Sequence, residues 1–186
     1  GVTCNATGNF AVLEVARALA RYRSELKRSI RLGWWSCHET GTMVGSSWFV
    51  NHYWDDLDRN AMAYINVDSP GMKGTNRYSV TSSTELARFH QAVERDILGE
   101  ETVRKRLTHV GDQSFMGIGV PSLSGRTEYP PDLVKSWHGA NLAPWHHSDE
   151  MTLDKMDVGI MLKSMRVYAG YIVRLCNTAV FPFDHL

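Results

Sequence analysis

A chain of 186 residues, 43% of them hydrophobic, is long enough to bury one substantial core. Twenty Lys and Arg balance twenty Asp and Glu, and the pI is about 7.2, so composition argues against a nucleic-acid binder or an anionic-membrane binder. No apolar run reaches bilayer-spanning length, and the three cysteines are too few for a disulfide scaffold.

In chain order, Asn5-Ala6-Thr7 has the form of a glycosylation sequon. Val12, Val15, Ala16, Leu19 and Ala20 recur at helical spacing and predict a helix over Phe10–Leu26. Ile30, Leu32, Trp34 and Trp35 make Arg28–Trp35 read as a buried strand, with a break at Gly41. His38 and Glu39 then fall just past its carboxyl end, ahead of a predicted helix over Gly45–Trp54. Open α/β sheets bind their ligands at such ends. A second strand, Ala61–Val67, runs into Asp68. A Pro/Gly loop over Ser69–Asn76, a strand over Arg77–Ser82 and a helix over Thr84–Leu98 follow. Ser83 is the expected cap of that helix, with Glu85 in its first turn.

A more polar helix is predicted for Glu100–Leu107 and a short strand for Gly117–Leu123. Ser124–Trp145 reads as a long Gly- and Pro-rich loop, of a length associated with lids and binding loops. The polar cluster Trp145-His146-His147-Ser148-Asp149-Glu150 comes next. Thr152–Val180 is the last predicted helix, with Met156, Ile160, Met161, Met165, Tyr168, Ile172 and Leu175 as its apolar residues. There are no internal repeats, and alternation of strands and helices predicts an α/β sandwich. Glu39, Asp68 and His147 are three suitable ligands for a hard-to-borderline metal. Their plain readings are a surface acid, a turn cap and a loop histidine.

These motifs carry a resemblance. Trp35-Ser-Cys-His-Glu-Thr-Gly-Thr-Met-Val-Gly-Ser46 resembles the W-D-A-E-E-x-G-L-x-G-S pattern of the zinc exopeptidases. That family includes bacterial aminopeptidases, glutamate carboxypeptidase II and the transferrin receptor. Tyr64-Ile-Asn-Val-Asp68 is similar to its Y-I-N-x-D, and His147-Ser-Asp-Glu-Met-Thr-Leu-Asp-Lys155 to its late histidine motif. Gly1–Gly8 and Asn177–Asp184 resemble the family's opening and closing motifs, so the likeness covers the whole chain.

The resemblance implies a three-layer α/β sandwich with a mixed, mostly parallel sheet. It also implies that residues 1–186 form one domain, the C-terminal portion of a zinc-exopeptidase-like catalytic domain, incomplete at its N-terminus. The implied activity is hydrolysis of peptide or related amide bonds by a zinc-activated water, with one or two zinc ions. The implied metal ligands are Glu39, Asp68 and His147. His146 would steady the tetrahedral oxyanion.

Four departures qualify this. Cys4 stands at the family's bridging aspartate, where a thiolate can still bind zinc, and Cys4 and Cys37 could instead pair as a disulfide. His38 stands at the general base; it is a competent base, a possible ligand or an inert replacement. The first zinc histidine would lie upstream of Gly1. Met151 replaces an aspartate near the late histidine. Arg126 matches the first arginine of a substrate-carboxylate patch that Thr127 and Glu128 do not continue, and Asp112 falls near a motif that borders the pocket.

Implied partners are a peptide or acyl-amino-acid substrate, an upstream segment or partner chain, and a second copy of the chain as a homodimer. The resemblance points towards a secreted or extracytoplasmic location; the residues themselves leave the compartment open. The alternative function is a non-catalytic, transferrin-receptor-like protein whose degenerate site serves binding or assembly.

Overall fold

The computed structural model describes residues 1–39, 43–100, 102–107 and 112–184. Gly41 and the Asp112 side chain lie outside the described residues. Four strands form a mixed sheet: β1 (Tyr64–Asn66), β2 (Arg77–Ser82), β3 (Val103–Lys105) and β4 (Ser122–Glu128). Their spatial order is β1-β4-β2-β3. The pairings β1–β4 and β2–β3 are parallel, and β2–β4 is antiparallel from Arg77↔Glu128 to Ser82↔Leu123.

The sheet is the middle of three layers. On one face, Tyr78, Val80 and Leu123 pack against Phe89 and Val93 of α4 (Ala87–Leu98) and Val167, Tyr168, Tyr171 and Leu175 of α7 (Val158–Asn177). Helix α1 (Thr7–Ala20) joins this layer by setting Ala11, Val15 and Leu19 against Met161 and Met165. On the other face lie α2 (Val44–His52), α3 (Trp54–Asn60) and α5 (Asp112–Met116). Their Val50, Leu57 and Phe115 pack with Val120, and Tyr64 stacks on Phe115 at 3.9 Å. Tyr64 and Ile65 thus serve opposite layers, as the two-residue period of a strand requires. The predicted three-layer sandwich with a mixed, mostly parallel sheet is the observed fold.

Several predicted elements are corrected. Arg28–Trp35 is not a strand. A strand needs a ladder partner, and among the described residues this stretch has none; Ile30, Leu32 and Trp34 are 36%, 40% and 50% exposed. It is held at its ends instead. The Arg28 guanidinium donates to the carbonyls of Leu175, Cys176 and Thr178 at the end of α7, and Trp35 Nε1 donates to the Tyr64 hydroxyl at 3.1 Å. Between this segment, α1 and β1 lies a cleft of about 1230 Å³.

Within predicted helix 100–107 lies the edge strand β3, whose Arg104 reaches Ser82 and Thr84. Charge on an edge strand mimics a polar helix in sequence. The predicted long loop over Ser124–Trp145 holds most of β4, followed by α6 (Pro131–Ser136). Gly125 concealed this strand: it admits the Tyr78 ring, and its carbonyl accepts from the Tyr168 hydroxyl. Helix α1 starts at Thr7 and gives way to a short 3₁₀ turn at Arg23–Glu25. Helix α7 starts at Val158, where Asp157 accepts the Ile160 N–H at 2.9 Å. Ser83 does not cap its helix; its hydroxyl accepts the Ser122 N–H.

Candidate metal centre

The site is assembled from the segment that ends at His38 and Glu39 and from three loops. The first is Gly1–Ala6, where the Cys4–Asn5 peptide bond is cis. Asn5 anchors it. Its Nδ2 donates to the Val67 carbonyl at 2.9 Å, and its Oδ1 accepts from Gly8 at 3.2 Å and from Ser69 at 3.1 Å. One carboxamide therefore ties Cys4 to the start of α1 and to the end of β1. The Asn5 carboxamide is thereby engaged structurally. Val2 completes the fit by donating to the Met151 carbonyl at 3.1 Å. Met151 itself is buried, so the predicted loss of a polar group there is filled by an apolar contact against Gly1.

Gly8 is required by this arrangement, because a Cβ there would overlap the Asn5 carboxamide. Gly8→Ala should destabilise the protein by about 1–3 kcal/mol through overpacking, despite alanine's advantage of about 1 kcal/mol within a helix. A lowered urea midpoint would show it; an unchanged midpoint would remove Asn5 from this role.

The second loop carries Asp68 past β1. The third carries His146 and His147, and aromatic packing fixes it. Trp145 meets Trp137 at 5.4 Å, Trp137 meets Tyr129 at 5.1 Å, and Lys155 Nζ sits 5.3 Å from the Trp145 ring. Lys73 donates to the Lys155 carbonyl and Asp157 to the Gly71 carbonyl, both at 2.9 Å, which draws the second and third loops together. His147 has φ 60°, a left-handed conformation uncommon outside glycine.

At the junction, Cys4 Sγ lies 3.5 Å from His147 Nε2. His146 stacks on His147 with ring centroids 3.8 Å apart. The ligating atoms of Cys4, His146 and His147 all lie within 4.8 Å of one another. Glu39 Oε1 approaches the same His147 Nε2 at 3.3 Å, and His38 Nε2 lies 3.7 Å from Glu39 Oε1. Burial, with Asp68 and Glu39 nearby, pushes the Cys4 thiol up to about 11. Burial and the adjacent His147 hold His146 below the usual imidazole range. The Cys4 shift thus reflects burial beside two carboxylates, whereas the His146 shift reflects burial beside another imidazole.

Asp68 is placed differently. Its Oδ2 accepts from Arg126 Nη1 at 2.9 Å and its Oδ1 from the Ser69 hydroxyl at 3.0 Å. The expected residues Cys4, Glu39, His38, His146 and His147 therefore converge directly, while Asp68 and Arg126 stand beside them as an ion pair. Cys4 and Cys37 are both free thiols, not a disulfide. Asn5 and the Trp137–Trp145 platform gave no sequence signal beyond the sequon and scattered aromatics.

The Peptidase family M28 model matches residues 1–141. The chain belongs to peptidase family M28. It is 34% identical over 71 residues to leupeptin-inactivating enzyme 1 of Streptomyces exfoliatus, a match covering 38% of this chain and 16% of that protein. It is 24% identical over 195 residues to the probable glutamate carboxypeptidase VP8 of Zea mays, covering 96% of this chain and 27% of that protein. In structure it resembles BSAP, a zinc aminopeptidase from Bacillus subtilis, with a TM-score of 0.79 at 16% identity. That match covers 100% of this chain and 45% of the other, and it establishes a shared fold. The chain thus spans about a quarter or less of these curated relatives and under half of this solved neighbour. No helix among the described residues is long and apolar enough to cross a membrane.

Proposed function

We propose that this chain carries the metal site of a peptide-bond hydrolase. One observation carries the reading: Cys4, His146 and His147 place their donor atoms within 4.8 Å of one another, with Glu39 against His147. A thiolate and two imidazoles form a donor set suited to zinc, and the family relation and the likeness to a zinc aminopeptidase support that ion. A divalent ion held there supplies Lewis acidity towards a peptide carbonyl and acidity to water.

The chain's own groups do the rest. His38 is 37% exposed at the mouth of the cleft and is the base that takes a proton at a ring nitrogen. Glu39, beside it at 3.7 Å, stabilises the imidazolium that results and also orients His147. His146, kept neutral by burial and by His147, joins the ligand set rather than carrying positive charge into it. Peptides or acyl-amino acids are the substrate class supported by family membership.

Glu39→Ala should lower hydrolysis of aminoacyl and acyl-amino-acid amides by about 10–100-fold or more, the range seen when groups that orient metal ligands are lost. A chelator should abolish hydrolysis, and zinc should restore it. Metal-loaded wild-type protein that is inert across such a panel would instead support the non-catalytic, receptor-like function.

A further inference from the structure

Arg126 holds Asp68 by strand register rather than by chance. Strands β1 and β4 run parallel with Asn66 opposite Ser124. Asp68 and Arg126 each lie two residues further along, so the ladder that fixes the sheet also sets them side by side. Both side chains are partly buried, at 27% and 29% exposure, and the Ser69 hydroxyl occupies the second carboxylate oxygen. An aspartate engaged through both oxygens, one of them by a guanidinium, is a poor ligand. A cation bound to it would also face the arginine's charge across the carboxylate.

We propose that the site binds a single metal ion through the Cys4 thiolate, His146 and His147, and that Arg126 keeps Asp68 out of the coordination sphere. The proposal rests on the hydrolase reading for the presence of a metal and adds the number of ions, their ligands and their guard. Glu39 fills the place beside the ion, against His147. The thiol proton leaves to solvent when the ion binds, since the thiolate is the ligand. A site of one thiolate and two imidazoles selects zinc or cobalt over magnesium or manganese, which favour oxygen ligands.

The test is cobalt(II) titration of the full chain, read by absorption. One equivalent is expected to saturate it, with a near-ultraviolet thiolate-to-cobalt charge-transfer band. Cys4→Ser should remove that band, and Cys37→Ser should leave it. His147→Ala should lose binding. Asp68→Asn should bind one equivalent like wild type, because Asp68 is not a ligand. Arg126→Ala should release Asp68 and raise the stoichiometry towards two, whereas Arg126→Lys should stay at one; circular dichroism of each variant confirms folding.

Saturation of the wild type at two equivalents, a band indifferent to Cys4→Ser, or lost binding in a folded Asp68→Asn variant overturns the proposal. Amide hydrolysis measured on the same preparations separates the two readings. A two-ion protein that hydrolyses amides sinks only this proposal. A one-ion, thiolate-ligated protein that hydrolyses nothing upholds it and sinks the enzyme reading.

Discussion

His147→Ala is expected to abolish metal retention and amide hydrolysis together while leaving the fold intact. His147 touches three of the other candidate groups: Cys4 at 3.5 Å, Glu39 at 3.3 Å and His146 by ring stacking at 3.8 Å. Loss of a group that merely orients a ligand costs about 10–100-fold in metal affinity, so loss of the central ligand should exceed that range. Its side chain is 45% exposed, outside the apolar core, and an exposed truncation of this kind changes stability by about 0.5 kcal/mol or less. Elemental analysis after dialysis, paired with thermal melting, checks both halves. Retained zinc, or a collapsed melting temperature, would remove His147 from the centre of the site.

Glu94→Ala is expected to be the most damaging single change to stability, far from the site. Glu94 and His90 are wholly buried on α4 and joined at 2.9 Å. The Glu94 carboxylate also accepts from the Tyr171 hydroxyl of α7 and from the Thr102 hydroxyl. Removing it strands three polar partners inside the main core, and breaking such a buried group costs about 3–5 kcal/mol. Glu94→Gln retains a carbonyl acceptor and should cost less. Urea denaturation checks the order: Glu94→Ala well below Glu94→Gln, and both below wild type. Equal midpoints for Glu94→Ala and wild type would show that the core tolerates the loss.

The core helices are locked by buried polar contacts and by Tyr78, Tyr168 and Tyr171 between sheet and helix. The candidate metal-binding groups sit on loops that the rigid sheet positions, and they stay partly exposed, as ligand access would require. A destabilised core would lower the amount of folded protein; a lost ligand would lower chemistry alone.

Sequence by itself determined the fold class and the family, and it named the candidate site residues. Periodicity placed β2 at Arg77–Ser82 and the helical face of α7, because both bury one clear apolar side. Ordered motifs put Cys4, His38, Glu39, His146 and His147 on the list, because ligand types at strand ends and in late loops are legible as residue types. Tertiary structure alone decided how they are used. Arg28–Trp35 has a strand's apolar residues but no ladder partner among the described residues, and pairing is a property of two segments, not one. Glu94 looks like any surface acid on a helix until α7 covers it. Asp68 reads as a ligand or a turn cap, and Arg126 as a pairing residue or a substrate contact; in the fold the two side chains form an ion pair two residues beyond the β1–β4 ladder. Local pattern records what a residue can do, while register and packing determine which partner reaches it first.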